Sequence, residues 1–303
     1  MSRLIAVAPS GGLDAAECLA RAKASGADVR DEAGLATLAD DLAALSADRG
    51  LVARVAERVL AAGGADATSG GYGAQALLLA PPGQRFVLRA AFWPGIGDAI
   101  LADSGPAAFF YGVAHDHDFA FLTCGHSGPG YWSDEWEVPE PVAGVPGEAV
   151  ALTPLGRHRL APGDVRLYRA GRDVHAQAPP TSFSVSVNLL ARDAATAWIG
   201  QYRYDTDRNC IAGELGGLPA ALLLDLAVEL GDGLDLAERF AARHRQPRMR
   251  VAAWRTLARV APATLRPILA REEVAADRML AAHARAILTD LDQLQGERVG
   301  QIL

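Results

Sequence analysis

The chain has little cysteine, and what it has is scattered. Cys18, Cys124 and Cys210 are the only three. They are odd in number, far apart and form no CxxC pair, which excludes a disulfide framework and fits a reducing compartment. Long apolar runs are missing as well: none approaches the roughly 20 residues that cross a bilayer. The opening segment MSRLIAVAPSGG carries one Arg and a five-residue apolar run, short of the about 7–15 residues of a signal-peptide core. No membrane association is expected, and a cytoplasmic location is the default. Positive charge is not in excess either. With a net charge of −7 and a pI near 5.5 there is no broad basic face for nucleic acid. The cluster ARHRQPRMR at 242–250 reads as a solvated face. No GxGxxG opens a helix, and there is no P-loop and no GxSxG elbow, so the usual signatures of dinucleotide, nucleoside triphosphate and serine-hydrolase chemistry are absent.

What is present divides the 303 residues by texture. Residues 1–70 form an N-terminal helical segment: LDAAECLARAKA (13–24), LATLADDLAALSA (35–47) and RGLVARVAERVLAAGG (49–64) carry helical apolar spacing, and the last ends on glycines suited to a C-cap. From 71 to 210 the chain breaks into short runs separated by Gly and Pro. Candidate strands are Ala74–Ala80, Arg85–Trp93, Ala107–His115, Phe119–Cys124, Tyr131–Val138, Ala149–Thr153, Val165–Ala170, Phe183–Leu190 and Thr196–Tyr204. So many short strands with turn signals between them predict a sandwich or barrel. In SFSVSVNLL, Ser184, Ser186 and Asn188 alternate with Val185, Val187 and Leu189, giving one polar and one apolar face. Residues 211–303 are helical again. MRVAAWRTLARVAPATLRPILA has the look of a HEAT-type helix pair, and these helices are expected to cover the barrel or to make a homodimer contact.

The chemistry concentrates in 107–137, AAFFYGVAHDHDFAFLTCGHSGPGYWSDEWE. His115 and His117 are one residue apart, so on a strand they share a face about 7 Å apart. Two neutral imidazoles so placed suit a divalent transition ion. Phe119, Phe121 and Thr123 would share that face, while Asp116 and Asp118 would point away. His175 follows 58 residues later in LYRAGRDVHAQ.

These residues resemble the cupin superfamily. His115 and His117 match the HxH of its first motif, and GDVRLYRAGRDVH matches its second loosely, through Gly163, Gly171 and His175 with Arg169 in place of the proline. The resemblance covers about 75–205. It implies a mainly β core, a cupin-like jelly-roll barrel flanked by helical segments, that brings His175 beside the HxH pair. The glutamate that follows HxH in four-ligand cupins is replaced by Phe121 or Leu122. What remains, His115, His117 and His175, resembles the three-histidine iron(II) dioxygenases of the thiol dioxygenase type. That implies a mononuclear non-haem oxygenase using Fe(II), with Zn, Mn or Ni left open. Its substrates would be O2 and a small or peptide-borne anion that chelates the metal. The alternatives are a redox-neutral metal-dependent isomerase or lyase, and a ligand-binding sensor.

The same resemblance implies an arginine upstream of HxH that holds a substrate carboxylate, a place that Arg89 takes, and Arg172 near His175 is a further candidate for that role. Tyr168 and Arg169 are candidate catalytic groups, and Asn188 is a candidate to orient an imidazole. Phe121, Tyr131 and Trp132 would line a dry site. A fourth ligand could come from His126, in the turn after the strand, or from Glu135 or Glu137 on the next one. Cys124 falls on the opposite strand face, in the core.

Overall fold

The computed structural model describes residues 2–8, 12–61, 75–81, 83, 85–192 and 198–300, the side chains of 296–300 excepted. The Gly-rich stretch at 65–73, the glycines at 63–64 and the start of the expected strand at 196 lie outside the described residues. The chain forms two compact units: Met1–Glu140 with Ala151–Ile199, and Pro141–Val150 with Gly200–Leu303.

The first unit has a mainly β core with helices at its N-terminal end. Its helices are α1 (Ala15–Ala24), α2 (Glu32–Ala36), α3 (Ala39–Ser46) and α4 (Leu51–Ala61), followed later by the short α5 (Ala99–Ser104). Asp14 and Asp31 cap α1 and α2 by accepting from backbone N–H groups of the first turn. The strands are β1 (Arg3–Ile5), β2 (Ala76–Leu78), β3 (Phe86–Trp93), β4 (Phe121–Ser127), β5 (Tyr131–Glu137), β6 (Thr153–Leu160), β7 (Val165–Tyr168), β8 (Asp173–Ala178) and β9 (Ser184–Ala191). Among the described residues they make two antiparallel sheets, in the orders β1-β7-β4-β9-β3-β2 and β6-β5-β8.

The alternation of β9 decides how the large sheet packs. Val185, Val187 and Leu189 join Leu88, Leu122, Cys124, Val165 and Leu167 on one face, against Leu35, Leu42 and Leu45 of the N-terminal helices. The polar face does not look at solvent. Ser184, Ser186 and Asn188 are all buried, because this face turns towards the small sheet. Two rows cross the large sheet in register: Val87, Leu190, Phe121 and Tyr168, then Arg89, Asn188, Thr123 and Arg166. Phe121 and Tyr168 of the apolar row border the site described below, and the polar row lies next to that row on the same face. Leu122 is fully buried at the centre of the helix-facing layer. Leu122→Ala is expected to cost about 2–5 kcal/mol through lost burial and the cavity left behind. Urea denaturation should show a lower midpoint at an unchanged slope.

Several expected strands take another form. Ala107–His115 is not a strand: Pro106–Phe109 is a 3-10 turn, Phe110 is left-handed at φ 58°, and glycines at 105 and 112 also have positive φ. These residues interrupt an aromatic run that would otherwise favour extension. Of Ala149–Thr153 only Thr153 belongs to a strand, with Ala149 in an isolated antiparallel bridge to Cys210. The unforeseen strands β1, β6 and β8 are short or polar, and their partners rather than their composition hold them extended.

The second unit holds the hairpin β10 (Tyr202–Asp205) and β11 (Cys210–Glu214), with helices α6 (Pro219–Glu229), α7 (Leu234–Arg243), α8 (Pro247–Val260), α9 (Pro262–Glu272) and α10 (Arg278–Gly300). Residues 202–210, expected in the barrel, group with the helices instead, and 211–214, expected to be helical, are strand. Trp254 of α8 is fully buried, and its Nε1 donates to the Ala241 carbonyl at 2.9 Å. No helix among the described residues is long and apolar enough to cross a membrane.

Candidate metal centre

His115 and His175 are held opposite one another by two backbone hydrogen bonds, His115 N–H to the His175 carbonyl at 3.0 Å and the reverse at 2.9 Å. An antiparallel pair of this kind sends both side chains to one face. His117, two residues on, joins them, and its carbonyl accepts from the Gly171 N–H at 2.8 Å. The ring centroids lie 4.7–5.1 Å apart. One ring nitrogen from each histidine falls within 4.8 Å of the other two, and Nε2 of His117 is 3.0 Å from Nε2 of His175. The HxH pair and the distant third histidine therefore meet as the sequence indicates.

The electrostatics keep these rings neutral. His115 is 4% exposed, and burial pushes its pKa down to about 4, offset in part by the Nδ1–H bond to the Val113 carbonyl at 2.8 Å. That bond leaves the Nε2 lone pair available. Burial lowers His175 and His117 well below the usual histidine value, and neighbouring His115, His175 and Arg89 add to the effect on His117. Nδ1 of His175 is buried with no hydrogen-bond partner among the described residues. Three neutral nitrogen donors fit a divalent transition ion. The 3.0 Å between Nε2 of His117 and Nε2 of His175 is a separation at which both nitrogens would reach one such ion.

An aromatic wall surrounds the set. Phe119 and Phe121 lie 5.0 and 4.9 Å from the His117 ring, and Phe110 lies 5.3 Å from His115. Tyr168 stacks on Phe121 at 4.9 Å and meets His175 at 4.7 Å. Its hydroxyl donates to Glu135 Oε1 at 2.8 Å. Arg89 sits on the inward face of β3 and acts on His117 through its charge.

Other candidates are placed elsewhere. His126 turns the opposite way and pairs through Nδ1 with the Ser46 carbonyl of α3 at 2.8 Å, so it is not a fourth ligand in this arrangement. Trp132 is exposed under Arg159, because alternation along β5 turns Tyr131, Ser133 and Glu135 inward and Trp132 outward. Tyr131 is inward but stacks on Trp93 at 4.1 Å, in a separate apolar cluster with Tyr111 and Leu160. Arg169 is held by Asp173 at 2.6 Å and Glu137 at 3.0 Å, and Arg172 pairs with Glu137 at 3.0 Å. These ion pairs tie both arginines and Glu137 together where β5 meets the turn into β8. Asn188 accepts from Thr123 at 2.6 Å and serves the polar row. Cys124 is fully buried in the helix-facing core.

Glu135 is opposite His175 in the β5–β8 register, on the same face. It is 2% exposed, yet it is not part of the nitrogen cluster. Besides Tyr168 it is bonded by the Ser2 hydroxyl, and Arg166 Nη1 lies 3.7 Å from it. Arg166 and Ser2 escaped the sequence reading. The alternation in VRLY puts Arg166 on the face of Tyr168 and could have pointed to it, whereas nothing local marks Ser2.

No family model matches the chain, and neither does any curated protein. Solved structures show partial likeness. Hydroquinone 1,2-dioxygenase PnpCD, in complex with Cd2+ and 4-hydroxybenzonitrile, is 10% identical over 43% of this chain and 71% of its own, with a TM-score of 0.28. DMSP lyase DddQ from Ruegeria pomeroyi DSS-3 is 11% identical over 64% of this chain and 79% of its own, at 0.24. A sugar phosphate isomerase from a cupin superfamily, from Silicibacter pomeroyi, is 14% identical over 41% of this chain and 57% of its own, at 0.23. Likeness of this extent leaves the function to be argued from the chain's own residues.

Proposed function

We propose that the first unit is a cupin-type mononuclear metal enzyme in which His115, His117 and His175 hold one divalent transition ion. The reading rests on the cluster of three neutral histidines, His115 and His175 buried and His117 half-buried. Its finer form is a non-haem iron(II) oxygenase of the three-histidine kind, acting on a small or peptide-borne anionic substrate. When bound, iron(II) supplies a Lewis acid and a centre for O2 chemistry. Neutral ligands leave the ion's charge uncompensated, which favours an anionic group on the substrate. Arg89 adds a second positive charge beside His117, and Phe119 and Phe121 exclude water from that side. Tyr168 keeps its proton, since burial and the neighbouring Glu135 raise its pKa well above the usual value. That one proton is donated to Glu135, so Tyr168 serves as a general acid only by giving up this bond.

The Tyr168–Glu135 pair also supports a second reading, a redox-neutral lyase or isomerase that moves a proton. Metal analysis of protein purified without added metal, together with O2 uptake on small thiol and carboxylic acids, separates the two. About one iron per chain with substrate-dependent O2 uptake is expected. Zinc or manganese without O2 uptake favours the second reading, and a chain that binds no transition metal sinks both.

A further inference from the structure

Glu135 is the carboxylate that strand register sets directly opposite a proposed ligand, His175. A buried carboxylate beside a divalent cation would ordinarily ligate it, because its desolvated charge needs a counterion. Here both oxygens are already engaged. Oε1 accepts from the Tyr168 hydroxyl at 2.8 Å and faces Arg166 Nη1 at 3.7 Å, and Oε2 is bonded by the Ser2 hydroxyl. Arg166 Nη1 donates in turn to Ser2 at 2.9 Å. Ser2, Glu135, Arg166 and Tyr168 are all buried, which strengthens these bonds relative to exposed ones.

We propose that Ser2, Arg166 and Tyr168 form a latch that holds Glu135 off the metal and keeps the ligand set at three neutral histidines. The inference rests on the metal-site reading above. Arg166 is the principal member, since it supplies the countercharge that the metal would otherwise provide. Ser2 ties the second oxygen to the N-terminal strand, which pairs with the strand carrying Arg166. The latch has a chemical consequence. A carboxylate ligand would take up a coordination position and cancel half the ion's charge, and both effects weaken the binding of an anionic substrate. With Glu135 latched, the position and the charge stay available. Tyr168 touches His175 and Glu135 together, so it joins the latch to the metal-facing wall.

The test titrates Co(II) into the metal-free full-length chain and follows affinity and visible absorption. Glu135→Gln should bind Co(II) with wild-type affinity and an unchanged spectrum, because Glu135 is not a ligand. Arg166→Met should bind about tenfold tighter or more, with an altered spectrum, as the uncompensated carboxylate turns to the ion. The double variant Arg166→Met with Glu135→Gln should return to wild-type behaviour. Ser2→Ala should move in the direction of Arg166→Met by a smaller amount. The proposal is overturned if Glu135→Gln weakens binding tenfold or more, which would make Glu135 a ligand already. It is also overturned if Arg166→Met leaves affinity and spectrum unchanged, or if the double variant retains the gain. Should Arg166→Met fail to fold, Ser2→Ala carries the test, and an unshifted spectrum in that variant counts against the latch. A wild-type chain that binds no Co(II) removes the three-histidine site itself. Wild-type binding that is lost in His115→Ala leaves that site standing whatever becomes of the latch.

Discussion

Replacing His115 by alanine is expected to remove tight metal binding and to leave the fold in place. The ring is the only part of His115 that reaches the cluster, since its pairing with His175 is made by backbone groups that alanine keeps. Four-ligand structural zinc sites gain roughly 10–16 kcal/mol, so one donor carries on the order of 3 kcal/mol, about a hundredfold in affinity. Two remaining donors, with Nε2 atoms 3.0 Å apart, still form a weak chelate. Competition with a chromophoric chelator measures the loss, and circular dichroism checks the fold. Unchanged affinity in this variant would mean that the metal, if any, is held elsewhere.

Metal-free protein should lose stability steeply as pH falls from about 6.5 towards 4. The sign follows from the direction of the histidine shifts. Above the unfolded-state value of 6.5 the imidazoles are neutral in both states, and the stability they permit is fully present. Below it the unfolded chain takes up protons that the folded chain refuses until its own, depressed values are reached. For His115, with a folded pKa of about 4, the full penalty approaches about 3 kcal/mol. His117 and His175 are displaced the same way and add to it. His283, buried in the second unit with Nε2 3.0 Å from the Ala143 carbonyl, is also lowered to about 4 and has the same sign. Urea midpoints measured between pH 8 and 4.5 on metal-free protein should trace this loss. His115→Asn should reduce the slope, and a stability curve flat across that window would contradict neutral, buried histidines.

Much of this was legible in local pattern. Helical periodicity marks both ends of the chain because burying one face of a helix requires it. The doublet at His115 and His117 is legible for the reason that residues i and i+2 share a face in extended chain, and His117 stays with its partner even though the run before His115 is broken by Phe110 and the glycines on either side. Alternation in SFSVSVNLL correctly separated the residues of β9 into two faces. It could not say that the polar face is buried, since a second sheet covers it and sheet-on-sheet packing is not a property of one strand.

The sequence by itself determined the candidate donor types and the common face of His115 and His117, because these depend on side-chain chemistry and on the two-residue period of extended backbone, while the place of His175 beside them came from the family resemblance. Only the tertiary structure decided the rest of the site. Cross-strand register sets Glu135 opposite His175, the packing of α3 takes His126 away from the cluster, and the turn at β8 consumes Arg169 and Arg172 in ion pairs. Ser2 reaches Glu135 across 133 residues of chain. Register and long-range contact arise from the packing of whole layers, and no window of neighbouring residues contains that information.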